Sequence, residues 1–147
     1  GEAIAQSLSG HRMPYNPGHW FNSAKFLDIE YQTYGWVFPE SDKKEQEAHF
    51  HWRHPKEKIC VTMAYHKENK QLLGINTFGI RLRHEIVDRW LTEEKAIDYA
   101  MEYLRDANFD PEFYKNYESQ IVSKFNSEFG TNIHPKKRSW KRIFEKV

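Results

Sequence analysis

Cysteine is almost missing from this 147-residue chain, where Cys60 stands alone. An intramolecular disulfide and a cysteine-based metal cluster are therefore excluded. A reducing, cytoplasmic setting is the expectation. Charge of one sign is missing too. Twenty-two Lys and Arg offset 21 Asp and Glu, leaving a formal net charge of +1. No global basic field exists to attract nucleic acid, so no nucleic-acid partner is expected. No apolar run approaches the roughly 20 residues of a membrane-spanning helix, and no membrane partner is expected either. The first residues show no signal peptide. Glycine-rich phosphate loops are absent, since neither Gly-x-x-x-x-Gly-Lys nor Gly-x-Gly-x-x-Gly occurs. The chain does not hold a dinucleotide by the usual fingerprint. A Gly-x-Ser-x-Gly nucleophile turn and a His-Glu-x-x-His zinc pattern are absent as well.

What is present is aromatic. Ten Phe, eight Tyr and five Trp make up 16% of the chain. Rings carry much buried area per residue, so a core is available although the mean hydropathy is only −0.88. The same richness suits a surface that meets another surface. The length fits one domain. The chain opens Gly-Glu-Ala without Met, so it reads as a piece of a longer protein.

Residues 2–8 read as the end of a helix, with Ala3, Ile4, Ala5 and Leu8 as a narrow apolar stripe and Gly10 as its stop. So short a helix does not hold alone. Residues 11–22 hold Pro14, Asn16, Pro17 and Gly18 and read as a loop that carries Tyr15, Trp20 and Phe21. Four strand candidates follow. Phe26 to Tyr34 alternates, with Leu27, Ile29, Tyr31 and Thr33 on one side. Glu45 to His54 places Phe50 and Trp52 opposite His49 and His51. Lys58 to His66 and Gln71 to Arg81 are joined by the polar turn Lys67-Glu68-Asn69-Lys70. Gly74 inside a strand predicts a bulge or a close backbone approach. Hairpin-linked strands in sequence predict an antiparallel sheet.

From Arg83 the period turns helical. Ile86, Val87, Trp90 and Leu91 form one stripe. Thr92 reads as the cap of a second helix through Ala96, Ile97, Ala100, Met101 and Leu104. Asp110-Pro111 reads as the start of a third that ends near Gly130. Strands first and helices after give an α+β fold, with helices laid on an antiparallel sheet of four to five strands.

Candidate chemistry is sparse. His49, His51 and His54 cluster, and the first two share a strand face. Two imidazoles with a third ligand could hold zinc; the bland reading is a solvated strand face. Cys60 points opposite to Ile59 and Val61 and reads as an inert thiol. Arg81, Arg83, His84, Glu85, Asp88 and Arg89 gather at a strand-to-helix junction, where spaced surface ion pairs are favoured over a catalytic His-Glu pair. The basic tail Lys136-Lys137-Arg138, with Trp140, reads as a solvated end.

Two stretches taken together carry a resemblance. The first is Ala5-Gln6-Ser7-Leu8-Ser9-Gly10, then Pro14-Tyr15, then His19-Trp20-Phe21-Asn22-Ser23-Ala24-Lys25-Phe26, closed by Gly35. The second is Lys70-Gln71-Leu72-Leu73-Gly74-Ile75-Asn76-Thr77-Phe78-Gly79. In this order they resemble the C-terminal domain of FAD-dependent pyridine nucleotide-disulfide oxidoreductases of the ferredoxin reductase type, over roughly residues 2–105. The resemblance implies an interface or dimerisation domain, itself non-catalytic, of a longer NAD/FAD-dependent dehydrogenase. FAD and NAD(P)H would be bound by preceding domains of the same chain. Residues 1–10 would end the flavin domain's last helix, 11–105 would form the interface domain, and 106–147 would be a helical extension. Trp20 and Phe21 would face the flavin side. Tyr15, Trp20, Phe21 and Trp36 would anchor contacts, including those of a homodimer; an ordinary core ring is the equal reading for Trp36. The family's disulfide-reducing branch has a His-Pro followed by a Glu as acid and base. Here His134-Pro135 and the distant Glu145 do not match that spacing, so no catalytic residue is carried over. Asn22 also stands where the family often has a second Trp. Two other readings stay open: a stand-alone metal-binding domain using the three histidines, and a protein-interaction module.

Overall fold

The computed structural model describes residues 1–12, 14–42, 44–109 and 115–139. After a short helix α1 (Glu2–Leu8) come five strands: β1 (Phe21–Phe26), β2 (Ile29–Gly35), β3 (Glu47–Arg53), β4 (Cys60–His66) and β5 (Leu72–Phe78). Helices α2 (His84–Thr92), α3 (Ile97–Glu102), α4 (Leu104–Ala107) and α5 (Glu118–Phe129) follow. The strands form one antiparallel sheet in the order β1-β2-β5-β4-β3, and the helices pack on it. This is the α+β class expected.

The strand alternation decides what the helices cover. Phe50 and Trp52 of β3, Val61 and Met63 of β4 and Ile75 of β5 point to the helical side and are buried. They meet Ile86, Val87, Trp90 and Leu91, the apolar stripe of α2, and Ile121, Val122 and Phe125 of α5. The Phe125 ring sets its edge on Phe50 at 5.3 Å. Each such side chain contributes about 1.5–3 kcal/mol by leaving water. Gly130 ends α5 with φ +64, a left-handed cap that glycine adopts freely.

Four local expectations need correction. Phe26 to Tyr34 is not one strand. Leu27 takes φ +55 and turns the chain, so β1 and β2 form a tight hairpin with Phe26 opposite Ile29. β1 lies partly in the stretch read as loop. The helix-facing side of β2 is also the reverse of the apolar one: Gln32 and Tyr34 are buried there. Both serve Leu82, whose N–H donates to Gln32 Oε1 at 2.6 Å while Tyr34 Oη donates to its carbonyl at 3.1 Å. A buried polar side chain is stable when so satisfied. Next, the strands are not paired in sequence order. The segment 36–46 carries the chain from β2 to the far edge, and β5 returns between β2 and β4. Finally, Thr92 ends a helix and starts none. Glu94 turns with φ +51, and the expected second helix is split into α3 and α4. The proposed start at Asp110-Pro111 and the rings of Phe113, Tyr114 and Trp140 lie outside the described residues.

A polar latch holds the loop before β4 against the start of α5. Tyr117 Oη donates to one Glu57 oxygen at 2.8 Å, and Lys115 Nζ donates to the other at 2.7 Å. The lysine first, then the tyrosine, hold the Glu57 carboxyl below its ordinary value of 4.5. A carboxyl lowered on folding adds stability above that value and loses it as pH falls through the lowered one. The urea midpoint is therefore expected to fall more for the native chain than for Glu57→Gln between about pH 6 and about pH 3. Parallel curves would contradict the latch.

Candidate functional site: an aromatic cleft beside the first strand

β1 is exposed at all six positions, although it hydrogen-bonds to a half-buried neighbour. It is an edge strand, and its helix-facing residues Ser23 and Lys25 lie beyond the helices' cover. The ribbon around it also exposes large rings. Trp20 is 53% exposed, Trp36 is 60% exposed, and Phe21 is 37% exposed. Singly exposed rings are common, but rings gathered on one surface mark a contact.

The cluster is ordered. The Trp20 and Trp36 rings lie 6.2 Å apart and within 15° of parallel, and Trp36 continues to Phe38 at 5.9 Å. Phe21 packs on Tyr34 at 4.8 Å and on the His84 imidazole at 4.4 Å. Between these groups lies a cleft of about 440 Å³ lined by Pro17, Gly18, His19, Trp20, Phe21, Trp36 and His84. Three features of the chain build it. Gly74 has no side chain, so the Trp36 backbone can cross β5 with its amide donating to the Leu73 carbonyl at 3.1 Å. Gln32 and Tyr34 fix Leu82, two residues before His84. His19 Nδ1 sits 3.1 Å from Asp88 Oδ1 and ties the loop to α2. Burial, first, and then the Glu85 charge push the Tyr34 hydroxyl well above its ordinary value, so it stays a donor.

The expected anchors fare unequally. Trp20, Phe21 and Trp36 come together, and Trp36 is no core ring. Tyr15 is 78% exposed, and among the described residues no ring contact joins it to the cluster. His84 and Phe38 complete the cluster and were not singled out for it. His84 was legible only as part of a charged junction, because nothing local says that Phe21 folds back onto it.

The three candidate zinc ligands serve separate local tasks. His49 Nδ1 lies 3.6 Å from a Glu40 oxygen, and His51 Nδ1 lies 2.9 Å from Thr62 Oγ1. His54 Nδ1 accepts from the amides of Lys56 and Glu57 at 3.2 and 2.9 Å. Among the described residues no three His, Cys, Asp or Glu side chains stand close enough to hold a metal. Dialysis against equimolar zinc is expected to leave no stoichiometric metal on the chain. One zinc per chain, lost in His51→Ala, would contradict this. Cys60 is partly buried, and burial raises its thiol, so it is not poised as a nucleophile. Among the described residues no helix is long and apolar enough to cross a membrane.

The fold has a solved counterpart. The structure of a NAD-dependent persulfide reductase from A. fulgidus matches 98% of this chain with a TM-score of 0.57 at 16% identity. The match covers 31% of that chain, so this chain spans less than a third of its length. No protein-family model matches the sequence, and no curated protein matches it. At this identity the likeness establishes the fold.

Proposed function

We propose that this chain is the C-terminal interface domain of a longer NAD(P)H- and FAD-dependent oxidoreductase, and that it is non-catalytic by itself. It braces the flavin domain through the ribbon of residues 15–36 and contributes a subunit contact. One observation carries the reading: nearly the whole chain matches under a third of an NAD-dependent reductase, while its own first strand is exposed throughout. A strand bare on both faces is the form expected of a surface that another domain covers. The sequence holds no glycine-rich phosphate loop, so FAD and NAD(P)H would be held by the preceding domains. Trp20 and Phe21 would meet the flavin side. α1 supports the same reading, because Ile4 and Leu8 are 67% and 84% exposed and fit a helix that packs elsewhere. Phe26 and Leu27, exposed at the hairpin tip, suit the subunit contact.

The test is reconstitution. The remainder of the native protein, produced separately, is expected to bind this chain in a saturable one-to-one complex and to retain FAD better for it. Absence of binding would overturn the reading.

A further inference from the structure

We infer that a second cleft, between the segment after β5 and the segment leading into α5, binds a small carboxylic acid. The carboxylate would meet Arg81 and Lys115, and an apolar body of about one ring would lie against Ile59, Ile80 and Tyr117. This cleft shares no lining residue with the aromatic one. The inference is independent of the proposed docking, because it uses neither the ribbon of residues 15–36 nor a flavin.

The cleft has a volume of about 260 Å³, just under the roughly 300–1,000 Å³ of drug-sized sites. It therefore suits a small ligand. Among the described residues its lining holds two cations, Arg81 and Lys115, and no carboxylate. A cation would be repelled there. Ile59, Ile80 and the Tyr117 ring supply apolar wall beside the charges. Positive charge next to apolar wall matches a carboxylate joined to an apolar body. A bare inorganic anion would leave the wall unused.

The arginine is held ready for an anion. Its guanidinium lies over the Phe109 ring, 4.0 Å from the centroid, and this stacking fixes its plane. Among the described residues its one ion pair is with Glu30, 3.5 Å from Nε. That is longer than the usual 2.7–3.2 Å of a direct bond. Its terminal nitrogens have no hydrogen-bond partner among the described residues. A planar fork of this kind matches the two oxygens of a carboxylate. Lys115 Nζ gives one N–H to Glu57 at 2.7 Å, and an ammonium has three. The other polar groups of the lining are spent. Tyr117 Oη donates to Glu57 at 2.8 Å, and Asn108 Nδ2 donates to Asn116 and Glu118. Arg81 and Lys115 are thus the groups left to meet an anion. Glu57 shares Lys115 with the ligand and so weakens it.

The test titrates the 147-residue chain with benzoate and follows the methyl resonances of Ile59 and Ile80. Benzamide serves as the same body without the charge, and inorganic phosphate as the charge without the body. One equivalent of benzoate is expected to bind saturably. Its dissociation constant should be roughly a millimolar or below, as suits a ligand of so few atoms. The two isoleucine signals should move while the Trp36 indole signal stays. Arg81→Gln is expected to weaken binding by about tenfold or more, through loss of the charge-assisted fork. Lys115→Gln is expected to weaken it by about threefold, since the lysine is the more exposed cation. Glu57→Gln is expected to tighten it by about the same factor, because it frees Lys115. Both cations reach solvent, and circular dichroism reports whether the variants fold. Lys115→Gln and Glu57→Gln carry the test if Arg81→Gln does not fold. Absence of saturable binding, benzamide or phosphate binding as tightly as benzoate, or an affinity indifferent to these substitutions would overturn the inference.

Discussion

Trp20→Ala combined with Trp36→Ala is expected to leave the chain folded and to weaken its binding to the proposed flavin-containing remainder by at least about a hundredfold. The magnitude follows from what such rings do at contacts. A central Trp truncated to Ala costs about 2 kcal/mol or more, and two neighbours are not strictly additive. Folding should survive because both rings are more than half exposed and neither belongs to the buried core cluster. Tyr15→Ala is the useful control. It is more exposed than either Trp, yet it stands apart from the ring cluster, so its effect is expected to be small. Isothermal titration of the three proteins against the remainder decides the matter. A double variant that binds like the native chain would remove the aromatic cluster from the contact.

Gly74→Ala is expected to destabilise the chain by about 3 kcal/mol and to lower its melting temperature by roughly 10 °C. Here the sheet's inner pairing and the cleft share one residue. A Cβ at position 74 would stand 2.6 Å from the Trp36 carbonyl oxygen, 2.7 Å from the Trp36 nitrogen and 2.7 Å from the Tyr34 carbonyl oxygen. All three are backbone atoms, so no side chain can swing aside. Gly74 pairs with Gly35 across β2 and β5, and Gly35 itself takes φ +62. The strand pair must part, or the Trp36 backbone must shift. Either way the indole loses its place over the cleft. Thermal unfolding followed by circular dichroism gives the stability, and the Trp36 indole resonance gives the displacement. A melting point within about 2 °C of native, with an unmoved resonance, would contradict the close approach.

The sequence carried β3, β4 and β5 in plain view, because one side of each is apolar and packs under helices. Phe50 and Trp52, and Val61 and Met63, fall where alternation puts them, while Leu72 joins Ile75 in the core only through the register shift at Ala64/Tyr65. Gly74 announced its close approach for the same reason: an isolated glycine in an apolar strand leaves space for something. Alternation failed around Leu27, where an apolar residue in a left-handed turn imitates the next strand position. It failed again at Gln32, because hydrophobic pattern cannot foresee a polar side chain whose two ends are both satisfied by Leu82. Strand order was out of reach as well. Periodicity says which face is buried and nothing about which strand lies next.

The site was half legible. A loop dense in rings and turn formers marked Trp20 and Phe21 as candidate surface rings, whereas Trp36, beyond that loop, read equally well as a core ring. His84 was not legible as their neighbour, since it reaches them only through the long-range placement of α2 against β2. His49 and His51 of β3, with His54 just after it, show the opposite case. Closeness in sequence put His49 and His51 on one face, but each already serves a neighbour, and His54 turns away to Trp52 and Tyr117.

If this chain is one part of a larger flavoprotein, as proposed, the mass of the native protein will show it. An antibody raised against the chain is expected to detect a single species of roughly 50–60 kDa in cells that make it. That value follows if 17.7 kDa is 31% of the whole and the whole holds three domains of ordinary size. Glycine-rich dinucleotide fingerprints should then lie upstream of Gly1 in the same reading frame. A species of about 18 kDa, the mass of this chain by itself, would contradict that proposal.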